Sequence, residues 1–365
     1  MHEPGFLTTL PVVNRRIGIL LVNLGTPDSP AAGDVRRYLG EFLSDPRVLD
    51  INPVARWLLL HGVILRTRPA KSGKAYEKVW SSEGSPLLLH GQALTEAIRA
   101  RFANEANVHV ELAMRYGNPS LRKGIESLVA QGCDRIVVFP LYPQYASSST
   151  GSTVEAAYRI AAEQENTPFI TMVPSFFDHP AFIDAFASVG KPVLEEKNPD
   201  HVLMSFHGLP ERHMRKGDAS GQHCLAKDGC CDTITDVNRN CYRAQCVATA
   251  RALAAKLNIS EDDYTVTFQS RLTKAWIRPF TDETIEALRD EGKVKKLAVF
   301  CPAFVADCLE TLEEIGMGLK EDFEEAGGGR ELTLVPSLNA ETAWVDAVET
   351  LLRETLGKTH LPVAG

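Results

Sequence analysis

The stretch "HVLMSFHGLPERH", residues 201–213, joins a short apolar run to a glycine and a proline. The run from Val202 to His207 is apolar on both alternating faces apart from one serine, which is typical of a parallel strand covered on two sides. Gly208 and Pro210 end the strand. The stretch therefore predicts a buried parallel strand whose last residue is a histidine.

Similar runs recur along the chain and divide into two sets of four. The seven others are Ile17–Leu24, Val108–Tyr116, Ile136–Tyr142, Phe169–Pro174, Tyr264–Gln269, Leu297–Pro302 and Leu332–Pro336. Helical patterns lie between them, so the alternation predicts right-handed βαβ units and an α/β fold. We expect two similar domains, each a four-stranded parallel sheet flanked by helices. The break is placed in "ENTPFITMVPSFFDHP", which gives domains 14–168 and 169–356.

Composition excludes several classes of protein. The 365 residues are 44% hydrophobic and 24% charged, which is typical of a soluble globular protein. A net charge of -8 without a basic stripe argues against a nucleic-acid partner. No apolar run is long enough to span a membrane, and the N-terminus lacks the pattern of a secretory signal. We therefore expect a cytoplasmic protein, whose eight cysteines are thiols or metal ligands.

Polar and ionisable residues gather at the predicted carboxyl ends of the strands. Ligands of open parallel sheets bind at that edge. The residues that fall there are Asn23, Arg115, Tyr142, His207 and Gln269, followed by the segment after Pro302.

That segment, "AFVADCLETLEEI", has a helical pattern rich in carboxylates. Helical spacing places Asp307, Glu310 and Glu314 on one face, with Glu313 about a quarter turn away. A solvated surface face explains such a pattern equally well. Beside His207, however, the carboxylates suit either divalent-metal binding or proton removal.

Two further segments leave alternatives open. The apolar stretch "INPVARWLLLHGVILRTR", residues 51–68, is either a core helix or an amphipathic lip that contacts an apolar ligand or a membrane surface. Five cysteines fall between Cys224 and Cys246, and they indicate a structural zinc site or an iron–sulfur cluster. Cys241 and Cys246 have the C-x₄-C spacing of plant-type [2Fe–2S] proteins, whereas no C-x₂-C pair supports a zinc ribbon.

Taken together and in order, "LLVNLGTP", "YPQYASSSTGST", "SFHGLP", "TFQSR" and "PAFVADCLETLEEI" resemble the ferrochelatase family. The resemblance runs from about Ile17 to about Leu352. It implies two Rossmann-like domains with an active site in the cleft between them. It also implies insertion of iron(II) into protoporphyrin IX to form protohaem, the terminal step of haem biosynthesis.

The resemblance assigns roles to residues of this chain. His207 and Glu310 are expected to bind the metal or accept protons, and Glu314 with Asp307 to form a path for protons or metal. The expected porphyrin contacts are Leu24, Trp57, Arg115, Tyr116 and Tyr142, with segment 51–68 as a lip over the porphyrin and a peripheral contact with the membrane. Some relatives have a second histidine where this chain has Cys308, which puts a mechanism with two histidines in doubt.

The resemblance also bears on the cysteine-rich insertion, residues 218–246. Some bacterial members hold a [2Fe–2S] cluster with cysteines of an internal segment, so we expect the ligands Cys224, Cys231, Cys241 and Cys246, with Cys231 favoured over its neighbour Cys230. Cys133, Cys301 and Cys308 are interpreted as small buried hydrophobic residues. Two other functions stay open: a related chelatase acting on coproporphyrin or inserting cobalt or nickel, and a non-catalytic carrier of haem or metal.

Overall fold

Two four-stranded parallel sheets form the centre of the molecule. The structure is a computed structural model that describes residues 15–325 and 327–358. The prediction that no secretory signal is present rests on residues 1–14, which lie outside the described residues. The strands are β1 (Arg16–Thr26), β2 (Val108–Gly117), β3 (Cys133–Pro140), β4 (Phe169–Met172), β5 (His201–His207), β6 (Tyr264–Gln269), β7 (Lys296–Phe300) and β8 (Glu331–Leu334).

Both sheets have the same topology. The strand orders are β2-β1-β3-β4 and β6-β5-β7-β8, with every pairing parallel. The first strand of each half thus lies in the centre of its sheet, and the second lies at an edge. All eight predicted strands are confirmed, and so is the α/β fold of two similar sheets.

Helices cover both sheets. They are α1 (Ala32–Ser44), α2 (Pro53–Leu59), α3 (Leu65–Val79), α4 (Pro86–Arg101), α5 (Leu121–Ala130), α6 (Ser152–Ala162), α7 (Pro180–Lys197), α8 (Glu211–Gly217), α9 (Tyr242–Leu257), α10 (Thr281–Glu291), α11 (Lys320–Glu324) and α12 (Thr342–Lys358). Wider π-helical turns occupy Leu60–Ile64, Ser147–Gly151 and Glu310–Leu319. Local signals set several starts: Ser85 accepts a hydrogen bond from the Leu88 N–H and Pro86 occupies the first helical position of α4.

The two halves share a core. Trp344 of α12 packs against Phe176 and Phe182, and α12 contacts α4 and β3 of the first half as well as α7. Gln144 also donates a hydrogen bond to Thr249 at 3.0 Å across the halves. The last helix therefore crosses to the first half, and the domain limits 14–168 and 169–356 stay a prediction.

The first part of segment 51–68 is exposed. Helix α2, the π-helical turn after it and α3 follow one another without a break from Pro53 to Val79. Val54 is 67% exposed and Trp57 is 61% exposed, and no residue of α2 is buried. The alternative of a core helix is therefore wrong for α2, whereas Leu60 and Leu65, later in the same segment, are buried. No helix within residues 15–325 and 327–358 is long and apolar enough to cross a membrane.

Candidate active site

His207 ends β5 and lies half-buried between two aromatic rings. The ring centroids of Trp276 and Phe304 lie 6.3 Å and 6.2 Å from that of the imidazole. Its Nδ1 is 2.6 Å from the carbonyl oxygen of Gly208. Because a carbonyl only accepts, Nδ1 carries the proton of the neutral ring, and Nε2 keeps a free lone pair. That nitrogen can take up a proton or ligate a metal ion.

Gly208 is needed by close packing. A Cβ atom there would lie 2.8 Å from the Gln269 carbonyl oxygen and 3.2 Å from the Trp276 ring. The Gly208 N–H donates to the same carbonyl at 2.7 Å. The glycine predicted to end the strand therefore also lets the chain approach β6 beside His207.

The acidic segment differs from the prediction at its start. Its helix begins at Leu309, so Asp307 precedes it and does not share a helical face with the two glutamates. The buried carboxylate of Asp307 accepts hydrogen bonds from Asn339 Nδ2 at 2.8 Å and Thr311 Oγ1 at 3.1 Å. The expected single face of three carboxylates is wrong for Asp307, because the helix begins two residues after it and Asn339 and Thr311 satisfy its oxygens.

Glu310 and Glu314 lie in the π-helical turns, where the wider turn keeps residues four apart on nearly the same side. Glu313 points away from Glu310 and Glu314. Its carboxylate forms an ion pair with Lys78 of α3 at 2.7 Å, and this ion pair links the two halves. The expected separation of Glu313 from the other two glutamates agrees with this geometry.

Glu314 is the glutamate whose surroundings change its acidity most clearly. Burial raises the pKa of its carboxyl, hydrogen bonds from Ser270 and the nearby His207 oppose the rise, and the negative charge of Glu310 adds to it. The Ser270 N–H donates to Oε1 at 2.7 Å, and the Ser270 hydroxyl donates to Oε2. Ser270 adopts a left-handed conformation, with φ 62°, to make both contacts. A proton acceptor of raised pKa thus lies close to His207.

The first half supplies side chains that face this acidic group. Burial raises the pKa of Tyr76 on α3 and of Tyr38 on α1, and the negative charge of Glu310 raises both further. Burial also raises the pKa of the Cys308 thiol, with Glu310 as the next cause. Burial lowers the pKa of the His90 imidazole on α4, and the negative charge of Asp307 opposes this decrease. Sequence reasoning did not identify Tyr38, Tyr76 or His90, since they come from helices distant along the chain.

Arg115 and Tyr116, predicted porphyrin contacts, bind Asp45. Arg115 Nη2 and the Tyr116 hydroxyl each donate to Asp45 Oδ2 at 2.8 Å. Ser152 donates to the same oxygen at 2.6 Å. The Arg115 guanidinium also lies over the Tyr116 ring, 4.4 Å from its centroid. Arg115 and Tyr116 are therefore not free polar groups. Together with Asp45 they form a hydrogen-bonded group in which the charges of Arg115 and Asp45 cancel.

The other predicted porphyrin contacts occupy three places. Leu24 is half-buried near the end of β1, and Trp57 is exposed on α2. Tyr142 follows β3, and burial raises the pKa of its hydroxyl. Their contact with a porphyrin stays a prediction.

All five cysteines of the insertion are buried, and several are in contact. The Sγ atoms of Cys230 and Cys231 are 3.8 Å apart, and the thiol of Cys241 lies near those of Cys231 and Cys224. Arg243 Nη1 donates to Cys231 Sγ at 3.1 Å. The hydrogen bond with Cys241 and burial raise the pKa of Cys231.

These thiols fit an iron–sulfur cluster in donor chemistry, because cysteine thiolates are its usual ligands. Their spacing is that of thiols in contact with one another. Across residues 15–325 and 327–358, no three or more His, Cys, Asp or Glu side chains are placed as the ligands of a metal ion. The geometry alone therefore assigns no metal here, and none to His207 with its glutamates.

Comparison with known proteins identifies the family. The family model described as ferrochelatase matches residues 16–356. A ferrochelatase from Azotobacter vinelandii (strain DJ / ATCC BAA-1303) is 47% identical over 337 residues, covering 92% of this chain and 98% of the relative. One from Coxiella burnetii (strain CbuG_Q212) is 43% identical over 344 residues, covering 94% and 95%.

Among solved structures, SirB from Bacillus subtilis with Fe3+ is similar with a TM-score of 0.52 and 13% identity. The alignment covers 94% of this chain and 97% of that one. At this identity the likeness shows the fold alone. The family model and the curated relatives cover nearly the whole chain, and the protein is a member of the ferrochelatase family.

Proposed function

We propose that the protein inserts iron(II) into protoporphyrin IX and forms protohaem, as the terminal step of haem biosynthesis. The observation that carries the proposal is the grouping of His207, Glu310 and Glu314 at the carboxyl edge of the second sheet, in a chain that belongs to this family along nearly its whole length. Each turnover breaks two pyrrole N–H bonds and releases two protons as iron(II) takes their place. The site must therefore accept protons and admit a divalent ion.

His207 is the proposed group at the porphyrin centre. Its Nδ1–H is held by the Gly208 carbonyl, so Nε2 presents the lone pair. That lone pair either accepts a pyrrole proton or ligates the entering iron; both roles need the same tautomer.

Glu310 and Glu314 are proposed to carry protons or metal between His207 and solvent. The raised pKa of Glu314 makes its carboxylate a better proton acceptor than an ordinary glutamate. Asp307 is the weakest member of this path, since Asn339 and Thr311 already occupy its oxygens.

The porphyrin is proposed to lie between the lip, residues 51–68, and the cleft. Trp57, Leu24 and Tyr142 would supply apolar contact. Asp45 neutralises Arg115, so we propose that Arg115 meets the macrocycle face rather than a propionate, with Tyr116 supporting it from beneath.

Replacing Glu310 by glutamine distinguishes an enzyme from a carrier. An enzyme loses iron insertion in Glu310→Gln while protoporphyrin still binds, as measured by quenching of tryptophan fluorescence. Glu313→Gln is the matched control, because Glu313 faces Lys78 instead. Unchanged haem formation by Glu310→Gln would contradict the proposal.

A [2Fe–2S] cluster is the proposed resident cofactor, held by Cys224, Cys231, Cys241 and Cys246. Arg243 Nη1 donates directly to Cys231 Sγ at 3.1 Å, and this hydrogen bond supports Cys231 rather than Cys230 as the ligand. When bound, the cluster supplies a cross-link within the insertion. The purified protein should contain stoichiometric iron and sulfide, which Cys231→Ser removes and Cys230→Ser retains. A colourless wild-type protein without iron or sulfide would refute the cluster.

We also propose that the protein is cytoplasmic and touches the inner membrane through the lip. Exposed Val54, Trp57 and Leu58 lie near the exposed Arg66 and Arg68, and this combination suits an anionic lipid surface. Co-sedimentation should be stronger with phosphatidylglycerol than with phosphatidylcholine vesicles. Trp57→Ser should weaken it, whereas Tyr158→Ser, at an exposed aromatic residue elsewhere, should not. Equal sedimentation of both variants would contradict a lip contact.

A further inference from the structure

We propose that Tyr242, the first residue of α9, is a positioning residue that ties the peptide of His207 to the cysteine-rich insertion. Its hydroxyl donates to the backbone carbonyl oxygen of His207 at 2.9 Å. The side chain is buried, so this hydrogen bond is shielded from water. Nothing in the motif that contains His207 points to this partner, which lies 35 residues further along the chain.

The peptide unit that joins His207 to Gly208 is held at both of its polar atoms. Tyr242 binds its carbonyl oxygen, and its N–H donates to the Gln269 carbonyl at 2.7 Å. The next carbonyl, that of Gly208, accepts the imidazole Nδ1–H at 2.6 Å. The His207–Gly208 peptide directly precedes the carbonyl that holds the imidazole, so we expect its orientation to influence where Nε2 points. Removing the tyrosine hydroxyl frees one of the two atoms that fix it.

Tyr242 is in turn positioned by the insertion. It directly follows Cys241, whose Sγ lies 3.8 Å from Met214 Sδ of α8. The thiol of Cys246, one helical turn further on, lies beside the Tyr242 hydroxyl. A single hydroxyl group thus joins the cysteine cluster to the strand end that carries His207. Order in the insertion is transmitted to the imidazole through this contact.

The kinetic consequence rests on the role proposed for His207, whereas the positioning itself does not. Loss of the hydroxyl should let the imidazole sample both tautomers. Iron insertion then slows, since Nε2 is correctly presented only part of the time. Porphyrin affinity should hold, because Tyr242 contacts none of the predicted porphyrin-binding residues in a hydrogen bond.

The test uses Tyr242→Phe in the full chain, with the imidazole rings labelled with nitrogen-15. The His207 signals are assigned by their loss in His207→Ala. Wild type should show His207 as the Nδ1–H tautomer, and Tyr242→Phe should show a mixture of both tautomers. In the same variant kcat should fall about tenfold while the protoporphyrin Kd stays within about twofold. Unchanged imidazole signals, or a loss of affinity parallel to that of kcat, would overturn the proposal.

Two further variants separate the hydrogen bond from the shape of the ring. Tyr264→Phe makes the same change at a tyrosine of β6 and should leave signals and kcat unchanged. Tyr242 replaced by p-aminophenylalanine keeps an N–H donor and should restore both. If Tyr242→Phe does not fold, p-methylphenylalanine at position 242 removes the donor at nearly constant volume, and the same readouts apply. A tautomer mixture with unchanged kcat upholds the positioning and contradicts the role of His207 instead.

Discussion

Ser270 holds Glu314 through two hydrogen bonds, one from its N–H at 2.7 Å and one from its hydroxyl. The contact fixes a half-buried carboxylate close to His207, and Ser270 begins the loop that follows β6. Because Ser270 adopts a left-handed conformation to make it, local backbone preference has been overridden at this point of the site. The left-handed conformation of Ser270 therefore costs some backbone stability, and it places the titratable carboxyl of Glu314.

Glu314→Gln should stabilise the protein at neutral pH and slow the reaction. Burial raises the pKa of Glu314 in the folded state above that in the unfolded chain. The protonated carboxyl therefore contributes to stability at low pH, and this contribution is lost as the pH rises through the pKa of the folded state. Glutamine keeps an acceptor for the Ser270 N–H and carries no charge. We expect the free energy of unfolding to increase by about 1 kcal/mol at pH 7, with the difference shrinking in acid.

Urea unfolding of wild type and Glu314→Gln at several pH values measures this difference. Glu313→Gln is the control, since the ion pair of Glu313 with a largely exposed lysine contributes little. A Glu314→Gln variant that is less stable than wild type at pH 7 would show that the carboxylate is stabilising after all.

Asp50→Asn should destabilise the junction between the lip and the helix that follows His207. Asp50 accepts from Arg212 Nε at 2.7 Å and from Lys216 Nζ at 2.8 Å, and His213 lies 3.2 Å away. Although burial alone would raise its pKa, these three partners hold the pKa of Asp50 well below its usual range. The contribution of Asp50 to stability is thus fully present above the ordinary pKa of an aspartate. It is lost as the pH falls through the lowered pKa of Asp50 in the folded protein.

We expect Asp50→Asn to lower the free energy of unfolding by about 1–3 kcal/mol at neutral pH, because Arg212 and Lys216 lose their negatively charged partner. The gap from wild type should narrow in strong acid, where Asp50 is protonated in both states. Asp290→Asn, at a mostly exposed carboxylate, should change stability by less than about 0.5 kcal/mol. Equal stability of Asp50→Asn and wild type at neutral pH would count against the contact.

Gly208→Ala should impair the site through crowding. The added Cβ meets the Gln269 carbonyl at 2.8 Å and the Trp276 ring at 3.2 Å, so the strand end must shift. Such overpacking costs about 1–3 kcal/mol, and here it also displaces His207. The midpoint temperature of thermal unfolding and the rate of haem formation should both decrease. Gly33→Ala on α1, where nothing lies within 4 Å of the added atom, should preserve both; comparable losses in the two variants would rule out a specific effect at Gly208.

The sequence contained the fold but only part of the site. Eight strands were predictable because each parallel strand is apolar on both faces and is ended by a breaker, as in the run to His207. The strand order was not predicted, since nothing local distinguishes a central strand from an edge strand. The exposure of Trp57 was equally unpredictable, because an apolar helix has the same sequence pattern whether it packs against the core, a ligand or a membrane.

The errors have nonlocal causes. Asp307 lies in a helical pattern, yet Asn339, more than thirty residues later, satisfies its carboxylate outside the helix. Tyr76 and Ser270 reach the glutamates from other elements, so no spacing in the acidic segment could have pointed to them. His207, in contrast, was predictable from its position at the end of a buried strand.

We propose above that this chain makes haem from iron(II) and a porphyrin. The direct measurement is the absorption spectrum of wild-type protein incubated with protoporphyrin IX and iron(II) under anaerobic, reducing conditions. We predict that the free-porphyrin bands are replaced by those of protohaem over many turnovers, and that Glu310→Gln leaves the porphyrin bands in place. A wild-type spectrum that remains that of bound, metal-free porphyrin would contradict the proposed iron insertion.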